Sequence, residues 1–146
     1  MKENKDIDIR IIDSKLASLG SVLLMNKLIE HRDNNKTIDE AFDNILSTVN
    51  NLNALYTTNT LTYFARGGRL SKVEAFLGNA LKINPILDCD PNGKLRVVEK
   101  VRGEKKALDK LILRIKKSAI DPRKQTVYIC HADNEIKAIT LGERLI

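Results

Sequence analysis

The sequence predicts an α/β or α+β fold in which helices pack on a mixed β-sheet. Segments with helical spacing of apolar residues are interspersed with short runs that favour strands. Asp90-Pro91-Asn92-Gly93 is a strong turn sequence, and it predicts a β-hairpin over residues 83–101. A hydrophobic fraction of 42% in 146 residues is enough for one core of ordinary domain size. These observations place the chain among globular proteins with both helices and strands.

The first third of the chain predicts one strand and two helices. Apolar residues alternate over 7–12, which predicts a short strand, and we interpret Ser14 as a cap. Residues 16–29 are apolar on nearly every side, so we expect a mostly buried helix. Thr37 and Glu40 have the spacing of a capping box and open a clearly amphipathic helix.

The rest of the chain continues the alternation of strands and helices. The predicted elements are strands at 55–61, 83–89, 94–101 and 126–131, and helices from Ser71, over 104–119 and over 134–145 after an Asp133 N-cap. Residues 61–65 either continue their strand or form a helical turn. Pro85 indicates an edge or bulge position, because proline cannot donate to a strand ladder.

The positive charge is concentrated in one segment. The net charge is +6, and residues 94–124 hold 12 basic and 4 acidic side chains, a net +8. Such a segment attracts nucleic acid, a membrane surface or an acidic protein. The alternative is a solvated helix face beside a hairpin edge guarded by lysines. No helix-turn-helix or RNA-binding signature accompanies the charge, although a basic nucleic-acid-binding domain stays the alternative function.

Residues that carry chemistry are few. Cys89 and Cys130 lie in apolar, strand-like runs, which indicates small buried residues rather than ligands. His131 is interpreted as a structural hydrogen bonder, and His31 lies in a polar loop, so neither completes a metal set. Ser14 has no histidine partner for nucleophilic catalysis. We therefore expect no metal, no cofactor and no enzymatic activity.

No apolar run approaches the length of a membrane span, and the first residues lack the apolar region of a signal peptide. These observations predict a soluble cytoplasmic protein.

Four stretches together resemble the DegV family of bacterial fatty-acid-binding proteins. Leu61–Leu70 (LTYFARGGRL) resembles the family's run into Gly-Gly-Arg. Leu77–Leu87 (LGNALKINPIL) resembles its leucine-rich helix and Ile-x-Pro-Ile strand, and Gly93–Ala107 (GKLRVVEKVRGEKKA) its return strand and Lys-Val-Arg segment. Ile11–Gly20 resembles its Asp-Ser strand end. The order and spacing of these stretches are more specific than any one of them.

The resemblance implies a two-lobed fold with a fatty acid in a tunnel between the lobes. Residues 1–53 then correspond to a remnant of the first α/β lobe, and residues 54–146 to the second lobe without its last strand. A fatty-acid kinase is the implied partner and phosphorylates the carried acyl chain. A full member is about twice as long, and its Thr and Ser residues that grip the carboxylate lie outside this chain. We therefore expect an incomplete carboxylate site and self-association through an exposed apolar face.

Two arginines are the candidate anion-binding residues. Gly67 and Gly68 allow a sharp turn, and Arg69 adds a permanent cation just before a predicted helix N-terminus. Arg102, followed by Gly103, occupies a similar strand-to-helix junction. The resemblance implies that both contact the kinase or the acyl phosphate. The alternatives are a tight turn with a paired arginine for Arg69 and a solvated surface arginine for Arg102. An enzyme acting on a phosphorylated substrate through both is a third class, but no Walker-type loop supports it.

Apolar residues near these arginines are candidates for lining the acyl tunnel, and simple core packing is the alternative for each. The candidates are Phe64, Phe76, Leu77, Leu81, Ile83 and Ile86.

Overall fold

A computed structural model describes residues 7–71 and 83–146 of the chain. The chain divides into two compact units, Met1–Leu52 and Asn53–Ile146. The helix predicted from Ser71 lies outside the described residues. The assignment of the two units as parts of two lobes stays a prediction.

The first unit is built on a pair of helices, α1 (Leu19–Asp33) and α2 (Ile38–Asn51). The capping box predicted for α2 is confirmed. The Thr37 hydroxyl accepts from the Glu40 backbone N–H at 3.2 Å, and the Glu40 carboxylate accepts from the Thr37 backbone N–H at 2.9 Å. Two backbone donors at the helix start are thereby satisfied, which explains why α2 begins where the sequence predicts.

Helix α1 begins three residues later than predicted. Lys15 and Ser18 both have positive φ, 56° and 54°, which interrupts right-handed helical backbone before Leu19. The prediction that Ser14 caps this helix is wrong, because its hydroxyl donates to the Leu16 carbonyl at 2.6 Å.

The prediction that α1 is mostly buried is also wrong. Leu24 is its buried residue in this structure, whereas Val22, Met25 and Ile29 are exposed. In the described part of this unit, α2 is the helix that packs on α1, and one helix covers only one side of another. An apolar helix with a single partner therefore keeps apolar surface in solvent.

The strand predicted over residues 7–12 is not formed. The segment is tied to α2 by Arg10, which forms ion pairs with Asp8 and Asp39 at 2.8 and 2.9 Å and lies over the Phe42 ring. Ile9 and Ile11 on the alternate positions are 75% and 88% exposed. A strand needs a partner backbone, and none of the described residues supplies one here.

The second unit is built on a three-stranded sheet. Its strands are β1 (Leu55–Thr57), β2 (Ile83–Cys89) and β3 (Leu95–Arg102), in the order β1-β2-β3. The β2–β3 hairpin is confirmed, and the Asp90 carboxylate fixes its turn by accepting the Lys94 backbone N–H at 2.9 Å. The fold class of helices packed on a sheet is confirmed, although the sheet in the described residues is antiparallel rather than mixed.

The position of Pro85 agrees with its chemistry. A bulge follows it, because Ile86 pairs with Glu99 while Leu87 pairs with Val97. Strand β1 pairs only with residues 86–88, so Pro85 lies outside that ladder. The predicted bulge is therefore found next to Pro85, whereas the strand itself is central rather than at an edge of the described sheet.

Strand β1 is shorter than the predicted strand over 55–61, and a short helix, α3 (Thr62–Arg66), follows it. The Thr58 hydroxyl donates to the Thr60 carbonyl at 3.0 Å and accepts from the Thr60 backbone N–H at 3.3 Å. These local bonds compete with a strand ladder and turn the chain.

Two further α-helices, α4 (Glu104–Ser118) and α5 (Glu135–Leu145), and a short 3-10 helix (Pro122–Lys124) complete the described part of the second unit. Helix α4 agrees with the prediction. The N-cap of α5 is Asn134 rather than the predicted Asp133, whose φ is 52°. The strand predicted over 126–131 is wrong, since those residues are mostly exposed and pair with no described strand.

The core of the second unit consists of two clusters that meet at β2. One contains Leu61, Leu70 and Leu87, between β2 and the region of α3. The other contains Ile86, Val101, Ala107 and Leu111, between the sheet and α4. Ile86 and Leu87 are both fully buried, so adjacent residues of β2 serve different clusters.

Ile7, Ile9 and Ile11 are exposed at alternate positions of the first unit, and this apolar row predicts self-association. We expect the wild-type chain to elute heavier than its 16.4 kDa mass in size-exclusion chromatography with light scattering. Replacing Ile9 and Ile11 by Lys should shift it towards the monomer, because the apolar row becomes charged. Ile120→Lys with Ile136→Lys is the matched control, since both residues are at least 80% exposed in the other unit. A sharp monomer peak for the wild type contradicts the prediction.

Candidate functional site

The Gly-Gly-Arg turn closes α3. The backbone N–H of Gly67 donates to the Tyr63 carbonyl at 2.9 Å, and that of Gly68 donates to the Ala65 carbonyl at 3.0 Å. The backbone N–H of Arg69 donates to the Phe64 carbonyl at 2.9 Å. All three amides therefore cap a helix C-terminus, and they are not directed at a ligand.

Gly68 is the position in this turn that requires glycine. Its φ is 74°, in the left-handed region. A Cβ added there would meet no atom within 4 Å, so the requirement comes from the backbone angle and not from crowding. Gly67 has a φ of −75° and carries no such requirement.

Because the backbone amides of this turn are already hydrogen-bonded, the Arg69 side chain is the group in the turn that can contact an anion. Its side chain is exposed, and its guanidinium donates to the Gly67 carbonyl. No acidic residue among the described ones pairs with it. The alternative of a paired arginine stays a prediction, because Glu74 lies outside the described residues. The helix N-terminus that was predicted beside Arg69 lies outside the described residues. Its contribution to the predicted anion site therefore stays a prediction.

Arg102 ends β3 immediately before α4. It is exposed, and it has no ion-pair partner in the two described ranges. Gly103 is the N-cap of α4 with a φ of 91°, and no side chain caps the helix. The free backbone donors of the first turn and the cation of Arg102 give this junction a positive field.

The structure brings one predicted apolar residue to this junction. Ile83 is the cross-strand partner of Arg102 at the beginning of β2, and it is half-buried. Residues paired in this way lie side by side on one face of a sheet. A candidate tunnel residue and a candidate anion contact are therefore neighbours.

The other candidate tunnel residues do not form one wall. Phe64 packs against Leu61 and Leu87, whereas Ile86 packs in the cluster against α4. Phe76, Leu77 and Leu81 lie outside the described residues. Within this unit Phe64 and Ile86 are core residues of separate clusters, and their role as tunnel lining stays a prediction.

Tyr56 is a polar group at the edge of the apolar cluster that the sequence reasoning missed. It packs against the cluster with Phe64, and its hydroxyl lies 3.9 Å from the Cys89 sulfur. Burial, with a smaller contribution from the neighbouring Cys89 thiol, raises the pKa of Tyr56 to about 12. Its strand context in the sequence gave no sign of this contact.

The predicted burial of both cysteines is only partly right. Cys89 is half-buried on β2, whereas Cys130 is exposed. The exposure of Cys130 has the same cause as the missing strand over 126–131, since no strand among the described residues covers it.

Asn84 is the second residue that sequence reasoning missed. It is the buried polar side chain of β2, between Ile83 and Pro85. Its amide donates to the Asn59 side-chain oxygen at 2.7 Å, which ties β2 to the loop before α3. A buried amide needs such a partner, so this bond fixes the loop that leads into the Gly-Gly-Arg turn.

The histidines have structural roles. The Nδ1 atom of His131 accepts the backbone N–H of Asn134 at 3.1 Å at the start of α5, which confirms the predicted hydrogen-bonding role. His31 belongs to the last turn of α1, not to a loop, and its Nε2 lies 3.0 Å from the Asn44 side-chain oxygen. Within residues 7–71 and 83–146, no group of His, Cys, Asp or Glu has the arrangement of a metal site.

The first unit has a shallow apolar groove of about 210 Å³ between α1 and α2. Leu24, Leu28 and Ile45 contribute to its walls. Ligand pockets commonly have about 300–1,000 Å³, so this groove alone is too small for a long acyl chain.

A family model described as an uncharacterised protein of the DegV family matches residues 1–146, the whole chain. The chain belongs to the DegV family. This confirms the resemblance drawn from the four sequence stretches.

Curated and solved DegV proteins are about twice as long as this chain. A DegV domain-containing protein of Clostridium perfringens is 33% identical over 99% of this chain and 50% of the relative. A fatty acid binding DegV protein of Streptococcus agalactiae has a TM-score of 0.82 at 31% identity, over 96% of this chain and 49% of that one. A DegV protein of Eubacterium eligens, loaded with heptadecanoic acid, has a TM-score of 0.83 at 27% identity, over 94% and 49%.

None of the helices in the described ranges has the length and apolarity to cross a membrane.

The raised pKa of Tyr56 predicts a measurable loss of stability at high pH. The unfolded chain ionises this tyrosine near the ordinary value of about 10. Between that pH and about 12, the unfolded state has lost a proton that the folded state keeps, so stability falls as pH rises. Ultraviolet titration should show a tyrosinate step near pH 12 that Tyr56→Phe removes. Complete ionisation of all tyrosines near pH 10 in the folded protein contradicts this.

Proposed function

We propose that this chain binds a long-chain fatty acid and presents its carboxylate to a fatty-acid kinase, which forms the acyl phosphate. The observation that carries the proposal is the 31% identity and shared fold with a fatty acid binding DegV protein over nearly the whole chain. The chain spans about half of that protein, so the chain contributes only part of the ligand site.

The proposal gives the apolar and the cationic residues different tasks. Ile83, with other apolar side chains near it, contacts the acyl tail, which needs only apolar walls. Arg69 and Arg102 contact the kinase or the phosphate that it transfers, because each is an exposed, permanent cation at a glycine-bearing junction. The kinase supplies the chemistry, and this chain acts as the carrier in the cytoplasm.

Native mass spectrometry of the purified chain, followed by solvent extraction, tests the first half of the proposal. We expect a bound long-chain fatty acid that is released by the solvent. Ile83→Asp should lower the occupied fraction, because a buried carboxylate beside the tail is unfavourable. Leu113→Asp is the matched control, since Leu113 is exposed on α4. A wild-type chain free of fatty acid after incubation with oleate contradicts binding by this chain alone.

Substitution of the arginines tests the second half. Arg69→Gln and Arg102→Gln should each lower acyl-phosphate formation by the cognate kinase subunit by about 10-fold or more, because a charge-assisted contact is lost. Fatty-acid occupancy should not change. Arg66→Gln is the control, since Arg66 is an exposed arginine on α3 that lies near the Tyr63 ring. Equal rates for all three variants rule out the assigned roles.

The concentrated positive charge of residues 94–124 favours a second candidate, binding to nucleic acid. Duplex DNA binding that weakens steeply with salt supports this candidate. DNA binding that is absent at low salt eliminates it.

A further inference from the structure

Asn92 lies in a chemically reactive sequence at the tip of the β2–β3 hairpin. It is followed by Gly93, and no other asparagine of the sequence is followed by glycine. The side-chain amide of an asparagine is open to attack by the backbone nitrogen of the next residue, and glycine leaves that nitrogen unshielded because it has no Cβ. Asn92 is also exposed, so water reaches the amide.

The turn itself requires this glycine. Gly93 has a φ of 77°, in the left-handed region, where a residue with a side chain is strained. Its backbone N–H donates to the Asp90 carbonyl at 2.9 Å and closes a β-turn over residues 90–93. The residue that the turn geometry demands is therefore the same residue that leaves the Asn92 amide open to attack.

Hydrogen bonds to Asp90 restrain the reaction in the folded chain. The Asp90 carboxylate accepts the backbone N–H of Asn92 at 2.8 Å and that of Lys94 at 2.9 Å. The bonds from Lys94 and Asn92 lower the pKa of the Asp90 carboxyl, so it is ionised at neutral pH and both bonds are charge-assisted. The Gly93 nitrogen must leave the Asp90 carbonyl before it can attack, which requires the turn to open.

We propose that Asn92 is a site of spontaneous deamidation and that the hydrogen bonds of Asp90 control its rate. The Gly93 nitrogen loses its proton to solvent and forms a bond to Cγ of Asn92. The Cγ–Nδ2 bond breaks, and the amide nitrogen leaves as ammonia with a proton from solvent. Water then opens the resulting succinimide at one of its two carbonyl carbons. The net reaction consumes one water and releases one ammonia.

The two products of ring opening differ in their effect on the hairpin. Cleavage at Cγ gives aspartate, which leaves the length of the main chain unchanged. Cleavage at the backbone carbonyl carbon gives isoaspartate, in which the main chain contains one additional carbon. The bonds between Asp90 and Lys94 lead directly into the pairing of Cys89 with Leu95. A longer backbone disturbs these bonds, so isoaspartate should destabilise the second unit.

Timed incubation of the full chain at mildly alkaline pH tests the site, with trypsin digestion and mass spectrometry of the peptide of residues 83–94. We expect conversion of the Asn92 amide to both acid products. Asn84 in the same peptide is an internal control, because Pro85 has no N–H to supply the nucleophile. Asn35, exposed before Lys36, is a second control. An unconverted Asn92, or equally fast conversion of Asn35, overturns the proposal.

Substitution of Asp90 tests the control of the rate. Asp90→Ala should accelerate conversion of Asn92 by about 10-fold, because two charge-assisted bonds of the turn are lost. A synthetic peptide of residues 83–94 should react at least as fast as this variant. Asp121→Ala is the matched control, since Asp121 is an exposed aspartate before a proline in the same unit. Equal rates for the wild type and Asp90→Ala overturn control by the turn.

Two further measurements separate loosening of the turn from loss of the fold. Circular dichroism should show that Asp90→Ala keeps its helices, and Asp90→Asn, which retains an uncharged acceptor oxygen, should react at an intermediate rate. The isoaspartate form, separated by ion exchange, should melt at a lower temperature than the Asn92→Asp variant, because only the former has an altered backbone. Equal melting temperatures contradict the assigned effect on the hairpin.

Discussion

The second unit depends on the complete burial of Ile86 and Leu87 in the middle of β2. Ile86 and Leu87 are adjacent and fully buried, yet one packs towards α4 and the other towards the region of α3. Burying two such side chains contributes about 1.5–3 kcal/mol each, against a net stability of about 5–15 kcal/mol for a whole domain. One strand thus packs against the region of the Gly-Gly-Arg turn with one residue and against helix α4 with the next.

The described part of the first unit, residues 7–52, has no equivalent of this strand. Its buried large residues are Leu24 of α1 and Ile45 of α2, and isoleucines of the preceding segment lie in solvent. Two packed helices bury apolar side chains only along the interface between them, whereas a central strand can bury side chains on both faces of its sheet. The difference in core explains why the same abundance of apolar residues yields a packed second unit and an apolar surface on the first.

The sequence predicted those elements whose determinants are local. The capping box at Thr37 and the Asp90 turn satisfy their own backbone donors within a few residues, and both are confirmed. The predicted strands over 7–12 and 126–131 failed because pairing depends on a distant backbone, which alternation alone does not specify. Residues with positive φ, Lys15 and Asp133, also precede the two helices that begin three residues and one residue later than predicted.

The candidate site, like the fold, was predictable where it depends on local sequence motifs and not where it depends on contacts between distant residues. Motifs located Arg69 and Arg102, and family membership supports their context. In the sequence, a Gly-Gly pair that precedes one helix cannot be distinguished from a pair that ends another. The sequence therefore did not predict that the amides of Gly67 and Gly68 donate hydrogen bonds to carbonyls of α3. Tyr56 and Asn84 were missed because their significance lies in contacts with Cys89 and Asn59, more than twenty residues away in sequence.

The closure of α3 by the Gly-Gly-Arg turn has a consequence for how Arg69 would act. Because the amides of Gly67, Gly68 and Arg69 are already bonded to helix carbonyls, the backbone beneath the arginine is ordered before any anion arrives. An arginine on a flexible loop loses backbone and side-chain entropy together on binding, whereas here only the side chain has freedom to lose. Arg69 is thus a preorganised cation, mounted on a helix end.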